Sequence, residues 1–304
     1  MVELNPVAPL VVSEQDPTEV FKREWNVYQA CLDNDCLEHR HLYDSVATEL
    51  AALREKAGRP LNLLDLGCGD ADYLCRMLSI VRMLGMPDEG ADADGDAAMA
   101  VDGTPDGAPD KAPDGSGAGQ LLGSYTGVDL SAQALSIAKD NLEDNLEDAL
   151  GSGAEMSLVE GDMLTFVRAA ASASAAAGAP RYDVVFASFA LHHLTIEDKA
   201  VAVAEAAAAT AGSACGGALV VVDIFRREGE EREGFLARYV PHMASDWKCI
   251  DDVQKETIRK HVVAYDFPET VSAYEGFAAS AGFSTRGLVT DSTAGFSKLF
   301  VAHN

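Results

Sequence analysis

The chain predicts a doubly wound α/β fold, a mostly parallel sheet of seven strands with helices on both faces. Three observations carry this reading. Short apolar runs alternate with helical stretches, which requires parallel strands joined by crossovers. The first run, Leu61–Leu66, breaks at once into Gly67-Cys68-Gly69 and then into a helical stretch, the strand, glycine turn and helix corner of such sheets. The last two runs, Arg286–Thr290 and Lys298–Ala302, are joined by Asp291–Ser297, too short for a crossover helix, so they pair antiparallel.

Taken in order, Met1–Asp16 has several prolines and little periodicity, and residues 1–17 are expected to be a flexible tail. Residues 18–58 predict a helical cap. Thr18 is a candidate N-cap, and Phe21, Trp25 and Tyr28 recur at helical spacing. A second helix carries His39, Leu42, Tyr43, Val46 and Leu50. The main domain is expected over residues 59–304, opening with the Leu61–Leu66 strand. About residues 86–120 are built from Asp, Gly, Ala and Pro, as in Asp92-Ala93-Asp94-Gly95-Asp96. A calcium loop needs alternating ligands that end in a bidentate Glu, and no Glu stands where one is required. Low hydrophobicity with charge of one sign predicts a disordered acidic insertion.

Order resumes at Ser124–Asp129, a strand ending in an acid and followed by a helix from Ala132. Glu155–Met163 is a third strand with its turn, and the Ala/Ser-rich residues 169–179 read as a helix end or a loop. Tyr182–Ser188 is a fourth strand, residues 197–211 an alanine-rich helix by propensity, and Ala218–Phe225 a fifth strand.

Composition narrows the function. Lys plus Arg number 23 against 49 Asp plus Glu, a net charge of -26. Such a chain repels nucleic acid and anionic membrane surfaces, so neither is expected as a partner, and a small molecule is. Six cysteines occur without a Cys-x-x-Cys pair, so no zinc site is expected and the thiols are expected to be reduced, as in the cytoplasm. No basic stretch followed by an apolar core opens the chain, and no apolar run is long enough to span a membrane.

The stretch Asp65-Leu66-Gly67-Cys68-Gly69 resembles the first motif of class I S-adenosylmethionine (SAM) dependent methyltransferases of the small-molecule type: an acid, an apolar residue, then Gly-x-Gly. The dinucleotide fingerprint fits less well, because its third glycine would fall at Asp72, where a carboxylate would repel a pyrophosphate. SAM carries no phosphate, and its sulfonium and ammonium groups favour an acidic loop. The resemblance covers about residues 60–225 apart from the insertion. It implies the Rossmann-like methyltransferase fold, with SAM as cofactor and S-adenosylhomocysteine as product.

In open α/β sheets ligands bind at the C-terminal ends of the strands. The resemblance assigns the cofactor to four such loops: Asp65, Gly67, Cys68 and Gly69; Asp129 and Leu130, with the carboxylate on the ribose hydroxyls; Asp162 and Met163, near the adenine; and Ser188. An acid that ends a strand is also a common helix N-cap.

The phrase Leu191-His192-His193-Leu194 resembles one found after the fourth strand in that group. His192 and His193 are the catalytic candidates. Adjacent helical residues lie about 100° apart, so only one is expected to face the substrate, and His192, nearer the strand end, is preferred. Tyr28, Tyr43, Arg226 and Tyr239 are the substrate-binding candidates. Arg226 just past the fifth strand could hold a carboxylate; a solvated charge is the plainer reading, as core is for the tyrosines. Trp247, Tyr265 and Asp266 lie in the same C-terminal third without a placement.

The function expected is in-line methyl transfer from SAM to a small-molecule acceptor, with no metal. The alternative is a SAM-fold binding or assembly subunit without turnover. The sequence leaves the acceptor, the attacked atom and the oligomeric state open.

Overall fold

The structure, a computed structural model, describes residues 25–85, 120–149, 154–178 and 181–304. The expected tail, the Thr18 cap, Phe21 and nearly all of the acidic insertion lie outside the described residues. Among the described residues two helices, α1 (Trp25–Asp33) and α2 (His39–Ala57), precede the sheet. The order then runs β1 (Leu61–Leu66), α3 (Asp72–Gly85), β2 (Leu122–Asp129), α4 (Ala132–Ala149), β3 (Glu155–Glu160), α5 (Met163–Ala177) and β4 (Val184–Ser188). After a 3-10 turn at Leu191–His193 come α6 (Ile196–Thr210), β5 (Ala218–Ile224), α7 (Arg232–Asp246), α8 (Asp252–Tyr265), α9 (Val271–Ala281), β6 (Thr285–Asp291) and β7 (Ser297–His303).

The sheet has seven strands in the order β3-β2-β1-β4-β5-β7-β6. All neighbours pair parallel except β7, which runs antiparallel to both β5 and β6. The seven-stranded sheet and its antiparallel last strand are as the sequence predicts. The Ala/Ser-rich stretch is helix: α5 runs to Ala177 and ends on Gly178 at φ 65°.

Side-chain alternation sorts the core onto two faces. Leu61, Leu63, Val184, Phe186, Val220 and Val222 pack under α2, α3, α4, α7 and α8. Leu64, Leu66, Val185, Ala187, Leu219 and Val221 pack under α5, α6 and α9. β5 is buried over its whole length, as a central strand with helices on both faces must be.

Registers place the C-terminal ends side by side: Leu66 is level with Val128 and Ala187, and Ser188 with Val222. The order reverses at β1, whose neighbours are β2 on one side and β4 on the other, and such a switch point opens a crevice. The opposite end of the sheet is tied shut. Asp183, 1 % exposed, accepts from Arg59 at 2.8 and 2.9 Å, from the Asn62 amide at 2.8 Å and from Ser213 Oγ at 2.5 Å. Burial pushes its carboxyl up, but these donors outweigh it and hold it below the usual range.

Candidate active site

The crevice at the switch point is floored by β1 and its turn. Gly67 takes φ 77°, and its amide and that of Cys68 donate to Val128 O at 2.8 and 3.1 Å. A Cβ on Gly67 would stand 2.5 Å from Ala190 Cβ, so the β1 turn and the loop after β4 touch only because Gly67 has no side chain. Asp65, Gly67, Cys68, Gly69 and Ser188 line one small cavity, joined by Tyr43, Tyr73 and Phe186. Tyr125 donates to Asp65 Oδ2 at 2.9 Å, while Oδ1, buried in the same place, accepts no hydrogen bond. Burial pushes the Asp65 carboxyl up to about 7; the Tyr125 hydrogen bond opposes this and the Asp129 charge adds to it. The Cys68 thiol is also driven up by burial, so it is an inert wall group.

Asp129 bridges the first two loops. Its Oδ2 accepts from Gly69 N at 3.0 Å and its Oδ1 from Ser131 N at 2.8 Å. Each oxygen keeps a further lone pair for a ligand. Leu130 beside it is 44 % exposed, an apolar surface at the crevice mouth. Asp162 is the N-cap of α5, accepting from Thr165 N at 2.7 Å, and Met163 begins that helix.

Tyr43 stands at the cofactor-motif cavity, not beside the histidines. Its ring stacks on Tyr73 at 4.6 Å and 9°, and its hydroxyl is hydrogen-bonded to Ser188 Oγ. Tyr28 falls in α1, its side chain outside the described residues. Arg226 is occupied by the protein itself: its guanidinium donates to Pro268 O at 2.7 Å, Glu230 O at 2.5 Å and Glu269 Oε2 at 2.7 Å. It ties loops together and lines neither cavity, which corrects its reading as a carboxylate clamp.

A second cavity, of about 100 Å³, opens on the other side of the β4 end. Val27, Cys31 and Leu37 from the cap, Tyr239 of α7, Trp247, and Ile258 and Val262 of α8 form its apolar walls. Its polar end is His192, His193, His261 and Asp266. The two cavities divide at one peptide. Ser188 lines the first and Phe189 the second, because Phe189 takes φ 48°, a left-handed conformation costly for a bulky residue, fixed by its amide donating to Val222 O at 2.7 Å.

His192 is the most firmly held of the polar group. Its Nδ1 donates to Asp223 Oδ1 at 2.5 Å and its amide to Asp223 Oδ2 at 3.0 Å, which turns Nε2 toward Asp266 Oδ1, 3.6 Å away. Burial works against its protonation, but Asp223 and Asp266 outweigh burial and raise His192 above its ordinary value. His193 Nδ1 stands 3.5 Å and His261 Nε2 3.6 Å from the same Asp266 oxygen. Burial holds both imidazoles neutral, His193 well below its ordinary value and His261 at about 4. Burial lifts Asp266 to about 6, with His192 opposing and Asp223 adding.

Both histidines therefore face one atom, contrary to the helical-wheel expectation. They lie in a 3-10 turn and reach with different nitrogens, their rings 4.0 Å apart. Asp223, His261 and Lys199 escaped the sequence reading, and Asp266 had no placement. Lys199, fully buried, donates to Leu194 O at 2.5 Å and Phe267 O at 2.7 Å and so fastens the residues flanking His193 and Asp266. Arg232 donates to the backbone oxygens of Asp266 and Val263, both at 2.7 Å. Asp223 carried one signal: it is a lone acid inside the apolar run Val220–Phe225.

Residues 114–212 match the family model described as a methyltransferase domain. The fold is similar to magnesium protoporphyrin IX methyltransferase of Synechocystis PCC 6803 with bound SAM: TM-score 0.53 and 11% identity, over 97% of this chain and 100% of the other. The same enzyme with bound S-adenosylhomocysteine gives 0.54 and 12%, over 94% and 97%. Human N-acetylserotonin methyltransferase in complex with SAM gives 0.50 and 13%, over 97% of this chain and 60% of that one. No curated protein sequence matches the chain. The matched stretch is a methyltransferase domain, and the fold is the Rossmann-like methyltransferase fold.

Gly67→Ala should bring a left-handed alanine, at about 1–2 kcal/mol, and a collision with Ala190 into the turn. Calorimetry should show SAM affinity at least tenfold weaker, with a lowered melting temperature. Unchanged affinity would mean that the turn does not shape the cofactor site.

Proposed function

We propose that this methyltransferase acts on a small, largely apolar acceptor that enters the second cavity and presents a proton-bearing nucleophile to the methyl group of SAM held in the first. One observation carries the reading: adjacent residues, Ser188 and Phe189, line the two cavities, so a cofactor in one lies a single residue from an acceptor in the other. At about 100 Å³ the cavity is smaller than the roughly 150 Å³ that admits benzene, so it suits a small apolar group. Nucleic acid and anionic membrane are unlike partners for a chain of net charge -26. Among the described residues no helix is long and apolar enough to cross a membrane.

The cofactor side follows from the loop chemistry. Asp65, with an unpartnered buried oxygen, favours the cationic end of SAM; Asp129 offers acceptor lone pairs to the ribose; and Leu130 and Met163 offer apolar contact to the adenine, with Asp162 at the helix start beside them. In the transfer, the nucleophile's electron pair forms the bond to carbon while the S–CH3 pair returns to sulfur, leaving neutral S-adenosylhomocysteine. The sulfonium is already activated, so positioning and exclusion of water supply most of the acceleration. In the metal-free site the acceptor's proton goes to Nε2 of His192, whose tautomer and direction Asp223 fixes, as an acid does for a catalytic imidazole. His193 and Tyr239 shape the cavity around it.

His192→Gln should lower kcat by about 10²–10⁴ and leave the SAM dissociation constant unchanged, read as S-adenosylhomocysteine released from SAM with a metabolite extract. Full turnover in a folded variant would remove His192 from the chemistry.

The Asp65 carboxyl gives a pH signature. Its proton-binding value near 7 means that half of the ligand-free molecules hold the group neutral there, and only the ionised form attracts the cationic ligand. SAM affinity should rise with pH up to about 7 and level off above it, by at most about tenfold per unit below that point. Asp65→Asn should flatten the profile. The same slope in the variant would assign it to another group.

A further inference from the structure

The polar end of the second cavity has a spacing that acid–base chemistry alone does not explain. Asp266 is 4 % exposed, and its Oδ1 accepts no hydrogen bond. His192 Nε2, His193 Nδ1 and His261 Nε2 surround that oxygen at 3.6, 3.5 and 3.6 Å, and His193 Nδ1 also has the Tyr265 carbonyl at 3.4 Å, a contact that an ion would replace. The separations from Asp266 Oδ1 are too long for hydrogen bonds. They are close to the edge of a tetrahedral zinc site, where ligand atoms about 2.0–2.1 Å from the ion lie about 3.3 Å apart. The ligand atoms of His192, His193 and Asp266 all fall within 4.8 Å of one another.

The surroundings also fit. A metal-binding imidazole commonly donates its other N–H to a carboxylate, which fixes the ring and raises its basicity. Asp223 does this for His192 at 2.5 Å. Two imidazole nitrogens with one carboxylate oxygen suit zinc, cobalt or iron(II) and suit magnesium poorly.

We propose that His192, His193 and Asp266 bind a divalent transition-metal ion, zinc by chemistry, at the polar end of the acceptor cavity. Three protein ligands leave a coordination position open toward the apolar walls, the pattern of reactive rather than structural zinc sites. This deepens the acceptor reading and rests on it in one respect: the open position would take the acceptor's heteroatom. An ion on Nε2 of His192 removes that nitrogen as a base, and the ion would instead acidify the bound hydroxyl, thiol or water. The ligand class is then a small apolar molecule carrying an oxygen or sulfur donor.

The test is direct binding of Co2+, as a coloured stand-in for zinc, to chelator-stripped full-length protein without SAM or acceptor. One ion per chain is expected, with visible d–d bands of the strength of four- or five-coordination, lost on adding Zn2+. Asp266→Asn and His193→Gln should each weaken binding at least tenfold, and Asp223→Asn by about 10–100-fold. Circular dichroism checks each fold; His193, the more exposed ligand, is the variant least disposed to unfold. Absence of a saturable site, or wild-type affinity in a folded His193→Gln, would overturn the proposal. So would sulfur-to-cobalt charge-transfer bands, which would put the ion on Cys36 and Cys249, whose sulfurs lie 2.9 Å apart. Cobalt binding without any methyl transfer would retire the acceptor reading and leave the ion site standing. Full turnover by metal-stripped protein would retire the ion's part in the reaction and leave the acceptor reading standing.

Discussion

The way β4 ends is the constraint on which the site depends. Ser188 finishes the strand, Phe189 turns into the left-handed region, and Ala190 comes to rest on the bare Cα of Gly67. A bulky residue with positive φ is costly and persists only where its surroundings fix it. Here the Phe189 amide is paired with Val222 of the next strand, and the 3-10 turn that follows is pinned by the Asp223 carboxylate. The kink keeps Phe189 on the Phe186 face of the sheet, beside the second cavity. In a straight continuation of β4, alternation would send it to the Ala187 face, and a side chain at Gly67 would push the two loops apart.

Around this point the fold combines two kinds of rigidity. Around the first cavity it is mostly backbone: amides of the β1 turn on Val128, and the Gly69 amide on Asp129. Around the second it is buried charge. Asp223 in β5, His192 in the turn after β4, Lys199 in α6 and Asp266 just past α8 are each nearly free of solvent. Groups of this kind are expensive to bury unless paired. Asp223 is well served, by two backbone amides and an imidazole. Asp266 Oδ1 is not, and that imbalance is the chemical character of the cavity.

The lining of the first cavity was legible in the sequence because its signals are local. Gly67 and Gly69 follow the strand directly, and Asp129 stands at the last position of the next strand, so short-range pattern and chain order suffice. The sheet, too, could be counted from apolar runs and closed from the length of Asp291–Ser297. The polar end of the second cavity was not legible, for a physical reason. His192 meets Asp223, Asp266 and His261 only through tertiary packing, and nothing in a run such as Lys260-His261-Val262 says which surface it will face. Arg226 shows the opposite failure: its place after β5 suggested a free cation, while loop oxygens folded around it from residues 230 and 268 had already consumed its donors. The histidine pair misled because a 3-10 turn and two different ring nitrogens let neighbours converge where an α-helix would not.

The central claim is that the acceptor reacts in the apolar cavity next to Phe189. The most direct measurement is to fill that cavity and leave the cofactor loops alone. Ile258 lines it from α8, far from the β1 turn in sequence. With Ile258→Trp, the account predicts that SAM binds as tightly as to the unaltered protein while S-adenosylhomocysteine formation with a metabolite extract falls at least a hundredfold. A folded variant that turns over at the original rate would place the acceptor elsewhere and contradict the account.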